Sequence, residues 1–265
     1  MGSLIGSDLL EGAGNQMRVV HALALRETRT RFGQHRLGYL WALLEPTLWI
    51  LTLYGAFTLA GRESMSGMEL IPFLATGMVV YDLFSKSVEK VSAAIVSNKA
   101  LLFYPHVKTL DIVFARGSLE FATYAIVFVI LLGGHGLLVQ QMQIHDLLLV
   151  ITGFGLAALL GMGVGLLFCT LSVISNVADR IRGPLLRPLF WVSGIFFAAD
   201  ALPSEARDLL LWNPVLHCVE MVRSGWFESY AANYGSPVYV SYWILGLFFA
   251  GLSLERHVRP KVQLT

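Results

Sequence analysis

Few residues of this chain have the type and spacing to do chemistry. Glu45 stands inside an apolar run and is followed by Pro46. An ionisable group at such a position faces a cavity or a partner helix. The proline should kink its helix and free carbonyls one turn earlier, and Glu45 is expected to satisfy that backbone. Arg116 and Glu120 are four residues apart, so they share a helical face and read as an internal ion pair. His217 and Glu220 are three apart, but two ligands do not make a metal site. Asn213-Pro214 just before them has the form of a helix start, Asn as N-cap and Pro as first helical residue. Arg18, Arg26, Arg29, Arg31 and Arg36 all precede the first apolar run. Guanidinium forks match carboxylate and phosphate geometry, so Arg29, Arg31 and Arg36 are candidates to hold an anionic group. Tyr39, Trp41 and Trp49 follow; such rings either belt a membrane interface or line a conduit where sugar rings stack. There is no G-x-x-x-x-G-K-[ST], no H-E-x-x-H and no G-x-S-x-G. Cys169 and Cys218 support neither zinc nor a disulfide framework. No catalytic residue, metal or cofactor is therefore expected on this chain.

The elements that position these residues are apolar. Of 265 residues, 55% are hydrophobic and 14% charged, with a mean hydropathy of +0.64. Soluble domains carry about 25% charge, so the deficit points to lipid as solvent. A formal net charge of +1 excludes a nucleic-acid binder driven by bulk basic charge. The class is an all-α membrane protein in a single transmembrane domain over 1–265. A spanning helix needs roughly 20 apolar residues. Six runs qualify: Gly38–Ala60, Leu70–Phe84, Ile112–Val139, Leu147–Ile174, Pro184–Ala201 and Pro237–Leu254. The second is short, and the fifth carries Arg187 and Pro188 in its first turns. Fifteen basic residues fall on one side of this alternation and three on the other, with Arg116 at a helix end. Both termini are then cytoplasmic. The first 37 residues lack the pattern of a cleavable signal peptide.

Three pieces lie outside the spans. Residues 14–36 read as a helix on the inner leaflet, with Arg18, Arg26, Arg29 and Arg36 on one face and Met17, Val20, Leu23 and Ala24 on another. The cytoplasmic loop 85–111 holds a short helix whose Val88, Val91 and Ile95 form an apolar face to dock a soluble partner. Residues 202–235 contain two apolar stretches too short to span, parted at Asn213-Pro214, the form of a re-entrant hairpin. Ala157, Gly161 and Gly165, at intervals of four, let two helices approach closely.

The stretch Leu25–Trp49, LRETRTRFGQHRLGYLWALLEPTLW, resembles the opening of permease subunits of ABC-2-type polysaccharide exporters. It is most similar to the capsular-polysaccharide export permeases of Gram-negative bacteria, the KpsM type. Arg26, Thr30, Arg31, Phe32 and Gly33, then Arg36 through Pro46, match that family's block. Trp212–Tyr230, WNPVLHCVEMVRSGWFESY, resembles its N-P…H…E…R stretch. The resemblance implies a homodimer in the inner membrane with a conduit between protomers. It implies two copies of a separate ATPase, which binds ATP and Mg, docked under the cytoplasmic loop. For the capsule branch it implies a lipid-linked anionic polysaccharide, with periplasmic and outer-membrane partner proteins. In this reading Arg29, Arg31 and Arg36 meet the anionic end of the cargo, and Tyr39, Trp41 and Trp49 line the conduit. Val88, Val91 and Ile95 couple to the ATPase; Glu45, Pro46, Arg116, Glu120, Asn213 and Pro214 are structural or gating. The same machine could carry O-antigen, teichoic acid or a lipid. A membrane-embedded enzyme acting on lipid-linked sugars would need Glu45 as its deep catalytic group. A stand-alone carrier would show internal repeats, and none is present.

Overall fold

The apolar runs become long helices in the computed structural model, which describes residues 2–32, 38–62, 64–103, 107–140, 144–175, 177–230 and 234–264. Helix α1 covers Gly2–Phe32 and α2 covers Gly38–Leu59. A hairpin of two-residue strands follows, β1 Ser64–Met65 and β2 Met68–Glu69. Its turn residues Ser66 and Gly67 both have positive φ, 51° and 77°, which suits the right-handed twist of a two-residue hairpin loop. Then come α3 (Leu70–Ser92), α4 (Ala94–Ser97), α5 (Lys99–Leu102), α6 (Thr109–Val139) and α7 (Leu147–Ile174). The remainder is α8 (Val177–Val192), a 3₁₀ turn at Ala199–Ala201, α9 (Ser204–Leu210), α10 (Pro214–Trp226) and α11 (Pro237–Leu264). The chain is an all-α membrane protein. Among the described residues, four stretches are long and apolar enough to cross a bilayer: Leu40–Leu59, Thr109–Val139, Leu147–Ile174 and Pro237–Arg259.

Helix α7 is the centre of the bundle, and its small residues explain why. A Cβ on Gly161 would lie 2.6 Å from the Phe84 carbonyl oxygen, and one on Gly165 would lie 2.7 Å from Val91 Cβ. Backbone therefore meets backbone along the α3–α7 contact, as the four-residue spacing predicts. Gly153 gives the same close approach to Cys218, Met221 and Val222 on α10. On the remaining side Leu166 packs against Gly251 of α11.

These contacts also set the register. Gly161 sits over Phe84–Ser87 and Gly165 over Val88–Val91, so α3 and α7 run in the same direction. Gly225 meets Asp146 and Val150 while Gly153 meets Cys218–Val222, so α10 runs antiparallel to α7. Its 13 residues cover about 20 Å. The turn before α10 therefore lies beside the middle of α7, not beside its end. One end of the bundle carries Lys86, Lys90, Lys99, Arg180 and Arg182, and is called the basic end below. The far end carries the hairpin and the connection between α6 and α7.

Helix bounds depart from the sequence expectation in two places that matter. Helix α3 runs on to Ser92, absorbing most of the helix expected in the loop 85–111 and turning the short second run into 23 residues. The fifth run, expected over Pro184–Ala201, is instead helical over Val177–Val192. Asp179 favours the earlier start, in the first turn where the helix dipole attracts negative charge. Gly194, at φ 79°, turns the chain away just after the helix ends. At 16 residues α8 covers about 24 Å, short of the roughly 30 Å bilayer core.

Candidate functional site

The basic end is built by α1 docking on other helices. The Gln16 amide donates to Asp111 at the start of α6. Arg26 donates to the Asn98 side chain, 3.3 Å away, at the junction of α4 and α5. Glu27 pairs with Arg116 of α6 at 3.0 Å, and Arg116 also donates to the Lys90 carbonyl at 2.8 Å. Arg116 thus ties α6 to α1 through Glu27. Glu120 is buried one turn further along α6. Val20, Leu23 and Ala24 lie on the packed side of α1, but Met17 is 70% exposed and does not belong to that face. The opposite side of α1 presents Arg18 and Arg29 to solvent, and Arg26, on the flank, is exposed as well. Ala22, Leu25, Arg26, Arg29 and Thr30 line an open groove of about 650 Å³ there. Arg36 lies outside the described residues, as do the side chains of Arg31 and Tyr39.

Along α2, Trp41 and Trp49 are 64% and 53% exposed, whereas Ile50 is buried in the core. Pro46 is buried within a helix that continues through it. Among the described residues Glu45 has no hydrogen bond to the backbone that Pro46 frees. It pairs across to Lys86 of α3 at 3.5 Å.

Val88, Val91 and Ile95 are essentially inaccessible, packed in the core on the α7 side. The apolar face expected to meet a soluble partner is therefore spent inside the protomer. What the connection shows outward is Val96, 55% exposed, and Phe103, 65% exposed, with Lys99 between them. Sequence periodicity could not find these two. A periodic apolar face marks burial without saying against what, and an isolated exposed hydrophobe leaves no periodic trace.

At the far half of the bundle, α10 carries a buried polar cluster. Asn213 accepts from Val215 N–H, capping α10 as expected, and its amide donates to the Val192 carbonyl and the Ser193 hydroxyl. It thereby ties the end of α8 to the start of α10, and Pro214 occupies the first turn where no N–H is needed. His217 donates through Nε2 to the Leu211 carbonyl at 2.8 Å and accepts at Nδ1 from Ser236 N–H. Both ring nitrogens are taken, so the pair His217–Glu220 has no free ligand to offer. Glu220 and Arg223 are fully buried and pair at 3.1 Å. Arg223 also donates to the carbonyls of Gly194 and Phe197 and stacks over Phe73, 3.9 Å from the ring centre. The Tyr230 hydroxyl completes the cluster on Glu220. One arginine thus holds α10, α3 and the Gly194–Phe197 turn together. Among the described residues no group of three His, Cys, Asp or Glu could hold a metal.

The comparisons match this architecture. The family model described as ABC-2 type transporter matches residues 18–227. The chain is 34% identical over 250 residues to the polysialic acid transport protein KpsM of Escherichia coli, covering 94% of this chain and 96% of the relative. It is 28% identical to the capsule polysaccharide export inner-membrane protein BexB of Haemophilus influenzae, covering 94% of each. It is 27% identical to the corresponding protein CtrC of Neisseria meningitidis serogroup A, covering 96% of each. A glycine-seamed helical bundle, a basic end and a family match across both conclude the identification: the chain belongs to the ABC-2 type transporter family of membrane proteins.

Proposed function

We propose that this chain is the membrane subunit of an ATP-driven exporter of capsular polysaccharide in the bacterial inner membrane. The observation that carries the reading is near full-length identity of 34% to a polysialic acid transport protein. Two further relatives named for capsule export align over almost the whole chain. The weaker likeness to an O-antigen export permease of Klebsiella pneumoniae, 24% over 86% of the chain, makes O-antigen the second cargo. Six crossings put the basic end and both termini in the cytoplasm. Helices α9 and α10 form a re-entrant hairpin from the outer side, because the turn between them lies beside mid-α7. A non-helical turn at that depth needs protein or a cavity around it.

Two copies of the chain enclose a conduit, and two copies of a soluble ATPase dock beneath the α3–α6 connection. Val96, Lys99 and Phe103 are its contact, since Val88, Val91 and Ile95 are core. ATP and Mg belong to that ATPase. Arg29, on the exposed face of α1, receives the anionic end of a lipid-linked polymer together with Arg31 and Arg36. Tyr39, Trp41 and Trp49 then offer flat surfaces on which sugar rings exchange. Periplasmic and outer-membrane proteins take the polymer onward.

The test is a gentle isolation of the chain from its native membrane. An ATPase of the Walker type in one-to-one ratio, with a mass fitting two of each, is the expected result. A chain that comes out alone, with and without ATP, would remove the motor. Deleting the chain should leave polymer inside the cell and the surface bare.

A further inference from the structure

Helix α6 packs on α7 less closely than α3 does, and toward the far end of the bundle a groove opens between them. Its floor is aromatic. Phe128 meets Phe154 at 5.3 Å and Trp226 edge-on at 5.7 Å, and all three are buried. Its rims are Val129 of α6 and Ile151 of α7, both exposed. The cavity measures about 220 Å³, and no charged residue lines it. An apolar cavity of about 150 Å³ already holds a benzene ring. The groove descends α6 from Gly133 to Phe121, about 18 Å along the axis. Half of the roughly 30 Å hydrocarbon core of a bilayer is about 15 Å, so the groove is as deep as one leaflet. Gly133 keeps it open, since a Cβ there would meet nothing within 4 Å.

The groove leads into a second cavity, of about 590 Å³, which shares Ile144 and Trp226 with it. Here the lining turns polar: Glu69 on β2, His145 before α7, and Glu228 and Ser229 after α10. Glu69 stands 3.9 Å from His135 of α6, and among the described residues Glu228 has no basic partner. Neither lysine nor arginine lines this mouth, so it suits a cation. Among the described residues no three metal-ligating groups converge, which favours an organic cation. Trp226 lies where the two cavities join, held there by the N–H groups of His145 and Asp146, which donate to the Gly225 carbonyl. Trp226 is 7% exposed, and among the described residues its indole N–H finds no acceptor. A buried indole ordinarily bonds its N–H. One left open between an apolar groove and a polar mouth points to a ligand with an acceptor at that level.

We propose that the two cavities bind one phospholipid with an ammonium headgroup, of the phosphatidylethanolamine class, from the outer leaflet. An acyl chain fills the groove, the Trp226 N–H donates to a glycerol ester carbonyl, and the ammonium lies between Glu69 and Glu228. The inference rests on the orientation proposed above, which turns the far end outward. Acyl chains are the solvent around α6 and α7, so the occupant is already at hand. An anionic lipid fits the mouth poorly, because two carboxylates repel it.

The experiment uses the complete exporter, this chain with its co-purified ATPase, stripped of lipid in detergent. Phosphatidylethanolamine and phosphatidylglycerol of matched chains are titrated in, and bound lipids are counted by native mass spectrometry. Wild type should hold one ethanolamine lipid per copy of this chain and prefer it about fivefold or more. E69Q/E228Q should erase the preference and still bind the glycerol lipid. G133L should fill the groove and lose both lipids. G134L, whose Cβ also meets nothing within 4 Å but does not line the groove, should keep both. W226F should weaken both about threefold. A G133L protein that binds like wild type, or a wild type without preference for the ethanolamine lipid, overturns the proposal. A site that retains only polymer-bearing lipid overturns it as well. The exporter reading fails on a separate observation, a chain that binds no ATPase.

Discussion

Replacing Gly161 with Ala tests whether the α3–α7 seam holds the bundle together. The added Cβ would stand 2.6 Å from the Phe84 carbonyl oxygen and 2.7 Å from Ser87 Cβ. Neither neighbour is the free end of a flexible side chain, so the helices themselves must part. Restoring an ordinary 3.4 Å contact requires a movement of about 0.8 Å along the seam. Overpacking of this kind costs about 1–3 kcal/mol. Against it stands the helix preference of Ala over Gly, at most about 1 kcal/mol. Gly155 lies in the same helix, and a Cβ there meets nothing within 4 Å. Gly155→Ala thus collects the propensity gain without the clash. The two variants should differ by about 1–3 kcal/mol, which for a chain of this size is a gap of several degrees in Tm. Heating the detergent-purified proteins and measuring the fraction that remains monodisperse gives the comparison. Gly161→Ala at or above Gly155→Ala would refute the backbone-to-backbone seam.

Glu220→Gln should lower stability by about 3–5 kcal/mol, because it leaves the Arg223 charge buried and uncompensated; a variant that melts like wild type would dismiss the cluster as a structural tie. Phe103→Asp should sever the ATPase in a pull-down and leave the Tm unchanged, since the ring is 65% exposed; Val88→Asp should instead abolish folding. Glu45→Gln should leave export largely intact, because the pair with Lys86 is half exposed and worth about 1 kcal/mol or less; complete loss would point to proton coupling or catalysis. Glu89 lies past the expected end of the second span, and burial pushes its carboxyl up. Lys90, Lys86 and Arg182 outweigh that and hold it below the usual carboxylate range. A depressed carboxylate adds stability above its unfolded pKa and loses it as pH falls through its folded one. Wild type should therefore exceed Glu89→Gln at neutral pH, the two melting curves converging in acid.

The entry block of the chain was legible from residue types, and its partners were not. Arg29 lies on an exposed face of α1, as its position in a basic segment predicted. That α1 leans on α6 through Glu27 and Arg116 needed a contact between residues 89 positions apart in the chain. Glu45 likewise found Lys86 rather than its own helix.

Hydropathy and spacing by themselves determined the lipid-soluble class, the fourth run to the residue, the cap at Asn213 and the close packing of Gly161 and Gly165. Each follows from local physics, since an apolar run of fixed length, an N-cap or a missing side chain needs no distant partner to be read. The tertiary structure alone decided where α3 and α8 end, and that Val88, Val91 and Ile95 face α7 rather than a partner. It also decided that Arg223 ties α10 to the carbonyls of Gly194 and Phe197. Those are pairings across the fold. One-dimensional periodicity says that a face must be covered or a charge satisfied, and only packing in three dimensions chooses which neighbour does it.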